Sequence, residues 1–303
     1  MKLRKIKVIM IDAFKPEYLQ YAPYLKSLTE KYQHGELDMG IGHWSGVDIL
    51  FNGKSENIAV FCKTDGKSSL HYLKYFSWLK HFGGFGRFCI NVLVNLPRWF
   101  KGYELFKTGN IPIDKLHTFE ICVKRHAAKN ENVHFQYFGE LDNLGHAVGT
   151  KDNKIKMAVR EIDADLSKMD FDILFSDHGM VDVNKIVSVP RTNNCFIDSD
   201  IARYWGTPAE IKAIKDKLPF KDGKIIHANK KFGDLVFLAK TGVLFFPNFW
   251  SRKPVKGMHG YDGKHKDMKA FYIIKKEGSA KNLKAEDLHK LYKQLIDERL
   301  KTE

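Results

Sequence analysis

The sequence predicts an α/β sandwich with a mainly parallel sheet. Short β-branched or aromatic runs alternate with segments of helical periodicity, and several of those runs end on Asp or Asp-His. The chain has 303 residues, 44% of them hydrophobic, which is enough to bury a sizeable core and excludes global disorder. That length suits one large domain, or one domain with an inserted lobe. Fifty Lys+Arg against 36 Asp+Glu leave a net charge of +14. This favours anionic partners, whether phosphorylated metabolites, nucleic acid or an anionic membrane surface.

Taken in order, Val8-Ile9-Met10-Ile11 reads as a buried strand that ends on Asp12. Pro23 opens a helix running to Tyr32, with Tyr24, Leu25, Leu28 and Tyr32 near helical spacing. Ile58–Phe61 and Val133–Phe138 are further strands. A helix over Lys154–Met169 leads to a strand at Phe171–Phe175, which runs into Ser176-Asp177-His178-Gly179. A late strand at Phe271–Ile274 and a helix over Ala285–Leu300 close the chain.

Two segments interrupt the alternation. Residues 66–132 form a basic, aromatic insert that includes His71-Tyr72-Leu73-Lys74-Tyr75-Phe76-Ser77-Trp78. It reads either as an amphipathic helix pair covering the sheet or as an interfacial element that meets a membrane. It carries no nucleic-acid fold signature, so nucleic acid is not an expected partner. Residues 186–256 mix a helix (Thr207–Leu218) with strand-like runs at Lys224–His227 and Leu235–Phe246, and are expected to form a cap. Residues 1–185 and 257–303 then make the core domain. The four cysteines, Cys62, Cys89, Cys122 and Cys195, form no CxxC motif and read as reduced, packed thiols. The first apolar run stops too soon for a signal peptide, and Asn91 and Asn95 interrupt the longest one. The expectation is a cytoplasmic protein, with peripheral contact to the inner face of the membrane.

Four clusters carry chemistry: Asp12, Asp142-x3-His146, Asp177-His178, and His259 within Gly257-Met258-His259-Gly260-Tyr261-Asp262. Three carboxylates and three imidazoles are the ligand set expected for two divalent transition ions, zinc first and manganese next. The nucleophile should be a hydroxyl. Ser45, in Gly42-His43-Trp44-Ser45-Gly46-Val47-Asp48, reads as poised at the start of a short helix over Gly46–Phe51, where the helix N-terminus favours negative charge. Arg203 could pair bidentately with a substrate phosphate.

These motifs together resemble the type I phosphodiesterase/nucleotide pyrophosphatase branch of the alkaline phosphatase superfamily. Asp142-Asn143-Leu144-Gly145-His146-Ala147-Val148-Gly149 is similar to its Asp-x-x-Gly-His-x-x-Gly motif. Asp177-His178-Gly179-Met180 is similar to its Asp-His-Gly-Met, and His259-Gly260-Tyr261-Asp262 to its final His-Gly-Tyr-Asp. The resemblance implies an alkaline-phosphatase-like three-layer sandwich. It assigns Asp12, Ser45, Asp177 and His178 to one ion, and Asp142, His146 and His259 to the other. It further implies a phosphodiesterase or pyrophosphatase that works through a covalent seryl intermediate on a nucleotide-sugar, lipid- or glycan-linked phosphodiester. A phosphomonoesterase or phosphoryl transferase of the same superfamily, and a non-catalytic membrane- or phosphate-binding protein on this scaffold, are the alternatives. The nucleophile segment departs from the family pattern. Asp48 stands where Asn is usual, and counting back from Asn52-Gly53 reaches His43. His43 and Asp48 are therefore candidate substrate contacts beside Ser45.

Overall fold

The computed structural model describes residues 5–42, 49–51, 53, 58–64, 68–101, 105, 107–122 and 133–301. Its centre is a six-stranded sheet in the order Leu283–Lys284, Tyr32–Asp38, Ala270–Glu277, Ile173–Phe175, Ile6–Ile11, Val133–Phe138. Ile6–Ile11 pairs parallel with Val133–Phe138 on one side and with Ile173–Phe175 on the other. Ala270–Glu277 alone runs against its neighbours. The sheet is thus mainly parallel, as its apolar runs predict, with one antiparallel strand among them.

Alternating burial on the strands feeds two layers. Val8, Met10, Phe175 and Tyr272 pack under the C-terminal helix Ala285–Lys301, against its Leu288 and Tyr292. Ile9, Ile11, Leu174 and Ile273 face the helix Asn153–Leu166, which presents Ile155, Val159, Ile162 and Leu166. Asp152 caps that helix by accepting the Lys154 N–H at 2.8 Å.

Several element boundaries differ from those expected. The helix opened by Pro23 stops at Leu28, and Tyr32 begins a strand instead of ending the helix. The expected strand at Ile58–Phe61 lies later, at Phe61–Lys63, where it pairs antiparallel with Phe119–Ile121. The run Leu235–Phe246 is two strands, Leu235–Ala239 and Val243–Phe245, because the chain turns at Gly242 with φ +83°.

Within residues 186–256 a separate antiparallel sheet forms, in the order Gly223–Ile226, Leu235–Ala239, Ile201–Tyr204, Cys195–Ile197. The helix Pro208–Lys215 carries a full capping box, with Thr207 and Glu210 each bonding the other's backbone N–H. The aromatic insert holds 3-10 turns over His71–Phe82, followed by the helix Gly83–Phe100. Among the described residues, its buried face does not pack on the central sheet. Its buried residues Leu73, Leu79, Ile90 and Val94 pack with Phe61, Phe119, Phe196 and Phe249.

The thiols also differ from expectation. Cys62 and Cys122 form a disulfide across the Phe61–Lys63 and Phe119–Ile121 pair, Cα to Cα 6.1 Å, while Cys89 and Cys195 are free. A sequence separation of 60 hides that pairing from any local pattern. No helix among the described residues is long and apolar enough to cross a membrane.

Candidate metal centre

The parallel register places the chemistry. Val8, Ile9 and Met10 lie opposite Ile173, Leu174 and Phe175, so Asp12 and Asp177 leave adjacent strands at the same edge. Just past Asp12 the backbone turns through Ala13 at φ 59°, a conformation that costs a non-glycine residue energy. The turn is held from outside. The Ala13 N–H donates to Asp177 Oδ1 at 3.4 Å and the Phe14 N–H donates to Ser176 Oγ at 2.9 Å. On the other flank, Val133–Phe138 leads into the helix Glu140–Val148, which carries Asp142 and His146 one turn apart on the same face. His259 follows the short strand Gly257–Met258, which pairs with Val181–Asp182.

These elements converge on a cleft of about 480 Å³ lined by Asp12, Asp142, His146, Asp177, His178 and His259. His178 Nε2 lies 3.2 Å from Asp12 Oδ1 and 3.7 Å from Asp177 Oδ2. His146 and His259 bring Nε2 to 3.3 and 3.6 Å from Asp142 Oδ1. The rings of His178 and His259 stack at 3.7 Å. Ligand atoms of Asp12, Asp177 and His178 lie within 4.8 Å of one another, as do those of Asp142, His178 and His259. His178 thus borders both groups.

The ring nitrogens turned away from the cleft fix what the others can do. Nδ1 of His146 meets Gly257 O at 2.8 Å, and Nδ1 of His178 meets Gly179 O at 3.0 Å. A carbonyl only accepts, so both Nδ1 atoms donate. In the neutral ring each Nε2 then points a lone pair at a carboxylate. Two lone-pair bearers that close need a proton or a cation between them. Asp12 Oδ1 and Asp142 Oδ1 are moreover buried without a hydrogen bond. An oxygen and nitrogen donor set of this kind, with backbone carbonyls orienting the imidazoles, fits divalent metal ions.

Without an ion the proton takes that role. Burial alone would lower the pKa of His178, but Asp177 and Asp12 outweigh it and hold the ring up at about 10. Burial alone would raise Asp12, yet the contacts with His178 and Tyr137 bring it down to about 2. His146 is raised against its burial by Asp142 and the Gly257 carbonyl.

All six expected ligands other than Ser45 therefore meet in one cleft. Ser45, His43 and Asp48 lie outside the described residues. The chain before them is tied to the site, since the Gly42 N–H donates to Gly260 O at 2.8 Å, beside His259. Arg203 is not brought to the cleft. It is wholly buried, its Nε bonds Asp198 Oδ2 at 2.8 Å, and its guanidinium lies 4.5 Å over the Phe196 ring. Asp198 Oδ1 in turn accepts from Trp250 Nε1 at 2.8 Å, and Trp250 lines the cleft. Arg203 thus supports the cleft wall instead of contacting substrate.

Sequence reasoning missed Tyr137, whose hydroxyl donates to Asp12 Oδ2. The pairing of Met10 with Tyr137 in parallel strands is what sets it there. Ser199, Trp250 and Ser251 also line the cleft, and no local pattern announces them.

The model of the type I phosphodiesterase / nucleotide pyrophosphatase family matches residues 113–217. That span holds Asp142, His146, Asp177 and His178. No curated protein matches the sequence. Among solved structures, the murine ectonucleotide pyrophosphatase / phosphodiesterase 5, an inactive variant in complex with AMP, superposes with TM-score 0.67 at 16% identity, over 97% of this chain and 95% of that one. The human ectonucleotide pyrophosphatase / phosphodiesterase 5 superposes with TM-score 0.65 at 14% identity, over the same shares. The resemblance read from the motifs is borne out by the family match, and the alkaline-phosphatase-like fold by the superpositions. The family match supports a hydrolase of the phosphodiesterase or pyrophosphatase kind.

Proposed function

We propose that the chain is a two-metal phosphodiesterase or pyrophosphatase with Ser45 as nucleophile. The observation that carries the reading is the convergence of three carboxylates and three imidazoles on one cleft, with His146 and His178 anchored through Nδ1. Asp12, Asp177 and His178, with Ser45, would hold one divalent ion, and Asp142, His146 and His259 the other. Zinc, or manganese in its place, would supply Lewis acidity to such a site when bound.

The chain's own residues do the rest. Ser45 follows Gly42 by three residues in the sequence, and the Gly42 N–H is tied to Gly260 O beside His259. The Ser45 Oγ attacks phosphorus, the P–O bond to the first alcohol or phosphate breaks, and the hydroxyl proton passes through water to that leaving oxygen. Water then cleaves the seryl ester and regenerates the hydroxyl. Tyr137 fixes Asp12, while the carbonyls of Gly257 and Gly179 fix His146 and His178. The sheet within residues 186–256 is read as a cap that shapes the pocket through Trp250 and Ser199. A nucleotide or other phosphodiester is the substrate class, and AMP in the murine neighbour supports a nucleotide.

The test compares p-nitrophenyl mono- and diesters with and without added zinc or manganese. The proposal expects metal-dependent diester turnover that Ser45→Ala reduces by several orders of magnitude while the fold is kept. Preference for the monoester would favour a phosphomonoesterase on the same scaffold. No turnover of either by metal-loaded protein would favour a binding protein.

A further inference from the structure

The geometry points to a second functional surface: we propose that the outer face of the Gly83–Phe100 helix and the turns before it dock onto an anionic lipid bilayer. The helix is apolar on two sides. Gly86, Ile90 and Val94 recur every four residues and are buried against the aromatic core. Phe85, Phe88, Val92, Leu96 and Trp99 recur at steps of three and four and therefore form a second stripe. All five are exposed, with Phe85, Phe88 and Trp99 above 60%. A helix that only covers a core carries polar residues on its outer side. Here no charged residue falls on that stripe.

The patch continues beyond the helix. Trp78 and Phe82 meet edge to face at 5.6 Å, Trp99 and Phe100 at 5.0 Å, and Tyr75 is 70% exposed. Scattered surface apolar residues need no explanation, but a contiguous aromatic face does. Trp and Tyr are the residues that favour the bilayer interface, where the ring is buried and the polar atom stays wet.

Charge selects the partner. From residue 66 to residue 103 the sequence contains no Asp or Glu, but it contains Lys67, Lys74, Lys80, Arg87, Arg98 and Lys101. Arg87 turns inward to Thr108 and the Ile111 carbonyl, and Lys80 pairs with Asp114. Lys74 and Lys101 stay exposed beside the aromatic face. A second copy of the chain is the weaker occupant. Two-fold pairing through this face would bring like charges together with no acid in the segment to offset them. An anionic headgroup layer offers both partners at once, charge for the lysines and an apolar edge for the rings. The helix has 18 residues, interrupted by Arg87, Asn91, Asn95 and Arg98, and so lies in the interface instead of spanning it. Its inner side packs with Phe61, whose ring lies 5.8 Å from that of Trp250 on the cleft wall. Docking does not depend on the proposed activity.

The test is co-sedimentation of the full chain with vesicles of phosphatidylcholine alone or with a third of phosphatidylserine. The proposal expects at least tenfold stronger partition onto the anionic vesicles. Lys74→Glu with Lys101→Glu should abolish that preference. Phe85→Ser, Phe88→Ser and Trp99→Ser together should lower binding at least tenfold, with circular dichroism and metal content unchanged. Should the triple variant fail to fold, quenching of native tryptophan fluorescence by brominated lipid gives the same answer on the wild type. Quenching supports insertion, and its absence overturns it. Failure of the wild type to sediment, or equal binding by the triple variant, also overturns the proposal. So does concentration-dependent self-association that the triple variant abolishes, since a second copy would then cover the face.

Discussion

Asp12 and His178 stand 3.2 Å apart with the imidazole Nδ1 already committed to the Gly179 carbonyl. In metal-free protein the only proton between them is the one His178 itself carries, and its pKa of about 10 sits above the ordinary 6.5. A raised pKa in the folded state stabilises fully below about pH 6.5, and that contribution is lost as pH rises through 10. Chelator-treated protein should therefore show a melting temperature that falls from pH 7 to 10, while zinc-loaded protein holds steady. Metal uptake must expel the same proton, so zinc affinity should weaken as pH falls, and calorimetry in two buffers should detect released protons. A flat stability profile for the stripped protein would show that the pair is not what holds the site. Arg203 poses the opposite problem, since its partner Asp198 is 1% exposed. Arg203→Ala leaves that carboxylate buried with only the Trp250 indole, at a cost of about 3–5 kcal/mol. Chemical denaturation should register the loss. An unchanged stability with altered KM would return Arg203 to the substrate.

Elements hold these residues through close backbone approach. A Cβ added at Gly257 would lie 2.5 Å from the Gly145 carbonyl oxygen, a backbone atom of the Glu140–Val148 helix that cannot swing aside. Gly257→Ala should push strand and helix apart, lengthen the His146 to Gly257 hydrogen bond and free the ring. Loss of such an orienting contact commonly weakens metal binding 10–100-fold. Zinc titration should show that weakening at the Asp142, His146 and His259 group before the other. The elements that were legible in the sequence are those whose local pattern matches their surroundings. Val8–Ile11 and Ile173–Phe175 are buried on both faces and read as unbroken apolar runs, so the Asp residues that follow them were legible too. Tyr32–Asp38 was not, because only Leu37 in it is buried and the remainder reads as polar chain. Likewise, Phe271–Ile274 is recognisable as a strand, but its antiparallel direction depends on a partner far upstream, in the register that sets Phe271 against Glu36. The insert was legible as amphipathic helix, but what it packs against is a tertiary fact. Its inner face meets Phe196 and Phe249, which lie more than a hundred residues away.

At the scale of the whole molecule, the Cys62–Cys122 bond ties the chain just before the aromatic insert to the end of the strand Phe119–Ile121 late within it. The span it closes contains every element of the proposed bilayer surface, the His71–Phe82 turns and the Gly83–Phe100 helix. Closing a loop of that size typically contributes about 2–4 kcal/mol by restricting the unfolded chain. It also bears on compartment, because such bonds persist in oxidising surroundings and are rare in the cytosol. The expectation of a cytoplasmic protein and the disulfide therefore pull in opposite directions, and thiol counting decides between them. Protein purified with alkylation at the point of lysis and then denatured should show two free thiols, Cys89 and Cys195, rising to four after reduction. Reduction should lower the melting temperature and expose the Lys67–Arg98 region to trypsin before the central sheet. Four thiols without reduction would mean that Cys62 and Cys122 are apart in the cell. The insert would then be held by its packing on Phe61, Phe119 and Phe196 alone, and the cytoplasmic reading would stand.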